Sequence, residues 1–198
     1  MAESESPTLA KAAALLQEGH ADEAAEVFSA LISSGVQSPD AYRGRGIAYM
    51  RLERWKDAVS DLTAARRLDP DDPEIWVNLA VSLARDNEIY PALAAFESVL
   101  IAHPNHLRAH VELAMVHFRL GAFPKGQQEL RLALGCRPTL EQRRAIEQML
   151  AEQKQLDHKR HFRPDFEALH RAEQARASDS WLAAAGRAVA GWFKKGKG

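Results

Sequence analysis

The chain holds a single cysteine, Cys136, among its 198 residues. That excludes an internal disulfide framework and a multi-cysteine zinc site. It has no apolar run of about 18 residues, the length that carries a helix across a bilayer. Nor is there a surplus of one charge: 26 Lys and Arg stand against 27 Asp and Glu, a formal net charge of -1. The electrostatic footprint of a nucleic-acid binder is therefore missing. Met1 to Leu9 is acidic and lacks the apolar region of a signal peptide, so a cytoplasmic location is expected. Also missing are GxSxG, HExxH, Walker A and dinucleotide-binding patterns. Gly44-Arg45-Gly46 is a weak match to a phosphate loop with no strand before it. Cys136 has no evident partner base, and the carboxylates fall on helix surfaces and caps. No catalytic residue, cofactor, metal or small-molecule substrate is expected.

What is present suits a packed, helical chain. Apolar residues make up 46% and charged residues 27%, enough for a core and a well-solvated surface. Charge is unevenly placed: residues 1–140 hold 14 basic and 19 acidic side chains, and residues 141–198 hold 12 and 8. The C-terminal part then has a separate task or contacts the acidic part.

Shifted by 34 residues, the sequence aligns with itself without a gap, giving units 5–38, 39–72, 73–106 and 107–140. Two slots are always small: Ala12, Gly46, Ala80, Ala114, and Ala24, Ala58, Ala92, Gly126. Close helix–helix packing calls for such residues. A third column reads Val36, Pro70, Pro104, Pro138 and separates the units. Two more read Phe28, Leu62, Phe96, Leu130, and Ala21, Trp55, Ile89, Phe123. Apolar residues at three- and four-residue spacing make each unit two helices. In the third unit these are Glu74 to Arg85 and about Glu88 to Ala102, with Pro91 in the first turn of the second.

Tyr42, Gly46, Tyr49, Trp55, Ala58, Leu62, Ala65 and Pro70 in the second unit resemble the tetratricopeptide repeat pattern. So do Trp76, Leu79, Ala80, Leu83, Ala92, Phe96 and Pro104 in the third. The resemblance implies an all-α, right-handed α-solenoid of helix-turn-helix repeats. It is specific as to fold and says little of function, because many interaction proteins share the scaffold. The first unit departs from the pattern at Thr8, Lys11 and Val36, as suits a terminal unit with one solvated side. The fourth has His110 and His117 where aromatics are usual. A capping helix is expected over 139–157. Thr139 and Gln142 form a capping-box pattern there, and Ile146, Met149, Leu150, Gln153 and Leu156 make an inward stripe.

In this family the first helices line a concave surface, usually for an extended peptide or a helix. Its rows here read Leu9, Arg43, Val77, Val111, then Ala13, Ile47, Val81, Met115, then Leu16, Met50, Ala84, Phe118. A fourth row is Gln17, Arg51, Arg85, Arg119, an arginine ladder along one rim. The expected function is a non-enzymatic protein-interaction scaffold, or adaptor, with an amphipathic or acidic–hydrophobic segment in the groove. Apolar contact would give affinity and arginines orientation. The bland alternative is that the arginines cap first helices, where cations suit the dipole. A narrower resemblance is to the dicarboxylate clamp of co-chaperones, with Arg43, Asn78 and Arg108 at clamp-like slots. Ile47 and Glu112 depart from that clamp. Bacterial-type secretion chaperones are a further analogy of fold.

His103, His106 and His110 have ligand-like spacing, but His110 and His117 occupy inward aromatic slots. Core or boundary histidines are the better account. His158 and His161 lie in a basic run that disfavours another cation.

Residues 1–4 read as a tail, 158–163 as a basic linker, 164–177 as a short helix, and 179–198 as an amphipathic basic helix. In the last, Trp181, Leu182, Ala185, Val189, Trp192 and Phe193 share one face, with Arg187, Lys194, Lys195 and Lys197 supplying cations. Three readings stay open for it: a membrane interface, a partner, or the repeats themselves. A membrane interface would make the chain a peripheral membrane adaptor. Docking on the repeats would make the tail autoinhibitory.

Overall fold

In the computed structural model, residues 8–161 are described, and among them every regular element is an α-helix. The chain divides into two compact units, one through Ala102 and one from His103. The first holds α1 (Leu9–Glu18), α2 (Ala21–Ser33), α3 (Pro39–Arg51), α4 (Trp55–Leu68), α5 (Pro73–Arg85) and α6 (Ile89–Ala102). The second holds α7 (Leu107–Arg119), α8 (Phe123–Gly135) and α9 (Leu140–His161).

Local chemistry starts the helices. Thr8 accepts from the Lys11 N–H at 3.1 Å, so the residue that spoiled the first unit's apolar pattern is its N-cap. Asp72 accepts from the Glu74 N–H at 2.8 Å, with Pro73 behind it in the first turn. The His106 ring accepts from the Ala109 N–H at 3.2 Å and caps α7. Thr139 and Gln142 bond reciprocally, at 2.9 and 3.2 Å, as a capping box requires.

The tight turn inside each hairpin has a periodic cause of its own. Gly19, Glu53, Asn87 and Gly121, spaced by 34, all have positive φ, at 97°, 58°, 68° and 73°. Immediately beyond, Ala21, Trp55, Ile89 and Phe123 each open a second helix.

In the first unit α1, α2, α3, α4, α5 and α6 pack in chain order, and α3 touches both α1 and α5. The small slots let the helices approach. Ala12, Ala24, Ala58, Ala80 and Ala92 are fully buried. A Cβ on Gly46 would lie 2.8 Å from Leu62 Cγ, and one on Gly44 would run into the Phe28 ring. Phe28, Leu62 and Phe96 fill the interior, each contributing about 2–3 kcal/mol by burial. In the second unit α7 and α8 form one hairpin, and Ile146 and Met149 of α9 join its core.

The capping helix outruns its expected end at 157. α9 continues through His158–His161, where a basic linker had been expected to begin. No glycine or proline interrupts the sequence from Leu140 to Arg163, so nothing local stops it. The expected short helix 164–177, the amphipathic helix 179–198 and the tail 1–4 lie outside the described residues.

Candidate functional site

The first-helix slots differ sharply between the units. In the first unit Leu9 and Ala13 are exposed, and Ile47, Met50 and Val81 are half-buried, so an apolar strip remains in contact with solvent. Val77 is fully buried there and Asn78 nearly so, which removes both from the surface a partner can reach. In the second unit Val111, Met115 and Phe118 are at most 5% exposed. They form one cluster with Leu130, Ile146 and Met149, so α9 has supplied the apolar contact a ligand would otherwise give. The five side chains Val77, Asn78, Val111, Met115 and Phe118 are thus interior rather than groove floor.

The arginines are also not equivalent. Arg43 holds Asp40 at 2.5 Å and Asp72 at 3.1 Å. Because Asp72 also caps α5, this bond ties α3 to the start of the next hairpin. A ligand carboxylate at Arg43 would have to displace one already present. Arg51 is half-buried, and its Nη1 donates to the Leu16 carbonyl at the end of α1. Burial lowers its pKa. Arg85 and Arg119 are exposed at the ends of α5 and α7, and Arg108 is half-buried near the start of α7.

Two buried ionic contacts escaped the sequence reading. Arg45 Nε and Nη2 clamp Asp61 at 2.7 and 2.8 Å, and Nη1 reaches Ser29 at 3.1 Å. The bond to Asp61 raises the Arg45 pKa despite burial. Gly44-Arg45-Gly46 is therefore a packing and pairing element inside α3. His110 Nδ1 lies 2.7 Å from Glu129 Oε2, and its Nε2 lies 2.9 Å from the Pro104 carbonyl. The available signal was periodic: Asp61 and Glu129 stand two repeat lengths apart, in the slot that Val27 and Ala95 fill elsewhere.

The remaining chemistry is structural. His106 caps α7 and His110 is engaged at both nitrogens. Among the described residues no cluster of three His, Cys, Asp or Glu could hold a metal. The Cys136 thiol donates to the Leu132 carbonyl at 3.3 Å, and burial pushes its pKa up, away from nucleophilic character. Among the described residues no helix is long and apolar enough to cross a membrane. Trp181, Leu182, Val189, Trp192, Phe193, Lys194 and Lys195 lie outside the described residues.

Helical hairpins in phase at 34 residues, with small packing slots and a proline between units, define a repeat scaffold. The tetratricopeptide repeat model matches residues 9–73, 43–89 and 92–141, together more than half of the chain. The chain belongs to the tetratricopeptide repeat family, a protein-interaction fold. Among curated proteins it is similar to the peroxisomal targeting signal receptor of Eremothecium gossypii, 29% identical over 96 residues. That match covers 48% of this chain and 17% of the receptor, so it spans under a fifth of that relative's length. Among solved structures it is similar to YrrB, described as a TPR protein with an unusual peptide-binding site. The TM-score is 0.60 at 21% identity, over 66% of this chain and 68% of that one. It is also similar to the second TPR domain of human RPAP3, solved in complex with the HSP70 peptide SGPTIEEVD. There the TM-score is 0.51 at 22% identity, over 54% and 88% of the two chains. At these identities the solved structures establish the fold.

Proposed function

We propose that the first unit is a docking platform on which a segment of another protein lies across α1, α3 and α5. One observation carries the reading: Ile47, Met50 and Val81 keep contact with solvent at slots whose counterparts in the second unit, Met115 and Phe118, are sealed by the chain's own core. An apolar strip left partly open to solvent is a liability unless something covers it. Methionine suits a surface that must fit irregular side chains. The peptide-binding site of YrrB and the HSP70 peptide bound to RPAP3 support a peptide-like ligand on this fold. The chain acts as a scaffold rather than as a catalyst.

The test is selection of peptides from a random display library on the full chain, followed by titration of the selected peptides. Met50→Glu and Val81→Glu place charges on the strip at half-buried rather than fully buried positions. With helicity unchanged by circular dichroism, either should weaken binding tenfold or more. Unchanged affinity places the ligand elsewhere.

A further inference from the structure

Four arginines lie on α3 or at the entry to α4, and three of them are neutralised within the fold. Arg43 holds Asp40 and Asp72, Arg45 holds Asp61, and Arg54 holds Asp57 at 2.7 Å. Arg51 differs. Its only bond among the described residues is to a backbone carbonyl, that of Leu16. One neutral oxygen satisfies one of the five N–H donors of a guanidinium. Burial disfavours its charged form, and among the described residues no carboxylate offsets that cost. A half-buried cation that has no counter-ion among the described residues, beside a surface open to a ligand, is a place where an anion is missing.

Neighbouring slots say where such an anion would lie. Ile47 and Arg51 are four residues apart on α3, and Val81 and Arg85 are four apart on α5, so each apolar side chain shares a helix face with an arginine. Arg85 is exposed and stands one repeat beyond Arg51, at the same slot of a helix that touches α3. Together these residues make an apolar strip with a cationic edge. Arg43 and Asn78 are not part of it, being respectively paired and buried.

We infer that the segment docked on the first unit is acidic as well as apolar, and that it places a carboxylate on Arg51, with Arg85 drawing in a second acid. This rests on the docking platform proposed above. Arg51 can offer its free N–H donors as a fork, giving a bond that is charge-assisted and directional. The chain's own C-terminal segment is a poor occupant by charge. Residues 162–198 carry seven Lys or Arg against four Asp or Glu, and two arginines repel a basic chain.

The experiment uses the full chain and two synthetic ten-residue display libraries with identical apolar positions. One library fills its polar positions with Asp and Glu, the other with Asn and Gln. The wild-type chain should bind ligands from the acidic library at least tenfold tighter, the scale of a hydrogen bond to a charged group, and the preference should shrink as salt is raised. Arg51→Met should erase most of the preference while leaving affinity for the neutral library unchanged, and Arg51→Lys should keep part of it. Arg85→Met, at an exposed position, removes the second cation without risk to folding and should reduce the preference by a smaller factor. Equal affinity for both libraries overturns the inference and leaves the docking platform standing. No ligand from either library overturns the platform and the inference with it. If Arg51 only caps α1, Arg51→Met lowers the melting temperature and keeps the acidic preference, which also overturns the inference.

Discussion

His110 sets Nδ1 2.7 Å from a Glu129 carboxylate oxygen and Nε2 2.9 Å from the Pro104 carbonyl. One repeat earlier, Trp76 sends its Nε1–H to the Pro70 carbonyl at 2.7 Å. The two rings thus make the same bond from the same slot, six residues after a proline. Tryptophan has one N–H and no second nitrogen to satisfy. Histidine has two, and here both face acceptors. A neutral imidazole can donate to only one of them, so the site favours imidazolium. Burial opposes the charge, but the bonds to Glu129 and Pro104, with the Glu129 charge, outweigh it and the pKa is raised above 6.5. A raised folded-state pKa gives stability that is complete below the unfolded value and is lost as pH rises through the folded one. The second unit should therefore melt at progressively lower temperature as pH climbs above the ordinary histidine range. The double variant His110→Trp/Glu129→Ala installs the pair present at Trp76 and Ala95, and its melting temperature should be flat through that window. Thermal melts from pH 5.5 to 9 compare the two. A parallel decline in both would remove His110 as the source.

The Arg45–Asp61 contact is the other departure of its kind. Arg45 stands where Leu79 and Leu113 stand in later repeats, and Asp61 stands in the slot of Ala95. Their side chains are 18% and 7% exposed. Removing one partner leaves a buried charge uncompensated, at a cost of about 3 kcal/mol or more, whereas replacing both with apolar residues is often neutral or favourable. Asp61→Ala should accordingly destabilise strongly in urea. Arg45→Leu/Asp61→Ala should recover most of the loss. A double variant as unstable as the single one would mean that the pair itself, with Ser29, holds the hairpins together.

Periodicity was legible wherever one slot needs one kind of side chain in every unit. The small slots and the Phe28/Leu62/Phe96/Leu130 column were readable on that ground, and the Thr139 capping box from its own three-residue spacing to Gln142. What escaped was anything in which two slots vary together. Arg45 with Asp61 and His110 with Glu129 look like isolated exceptions along a column, and become pairs only when the two helices of a hairpin face each other. The closed face of the second unit escaped for a similar reason. Met115 shares a slot with the half-buried Val81, and its own burial comes in a cluster that α9 joins through Ile146 and Met149. α9 runs on through the basic run after Asp157, because charge alone does not end a helix.

Turn chemistry gives a prediction at Glu53. Its φ of 58° lies in the left-handed region, at the slot held by Gly19 and Gly121. For a residue with a Cβ that conformation costs about 1–2 kcal/mol, and glycine adopts it freely. The exposed Glu53 side chain makes no contact that offsets this among the described residues. Glu53→Gly should raise the unfolding free energy of the first unit by about 1 kcal/mol, and Gly19→Ala should lower it by a similar amount. Urea titrations read both. Destabilisation by Glu53→Gly would show that the entropy lost by a flexible residue outweighs the strain.

Gly126 and Phe118 give the last prediction, on packing within one hairpin. The slot of Gly126 holds alanine in the other units, at Ala24, Ala58 and Ala92. The facing slot explains the exception. Leu16, Met50 and Ala84 occupy it earlier, and Phe118 occupies it here, with its ring where a Gly126 Cβ would go. Two effects then compete in Gly126→Ala. Helix propensity favours alanine by about 1 kcal/mol. Overpacking a fully buried ring, held also by a 6.2 Å stack on Phe123, costs about 1–3 kcal/mol. The clash should win, so Gly126→Ala alone lowers stability. Paired with Phe118→Leu it should be less damaging than the sum of the two single changes, because the smaller side chain vacates the space the methyl needs. A double-mutant cycle by urea unfolding measures that coupling. Simple additivity would show that the ring and the glycine are not matched to each other.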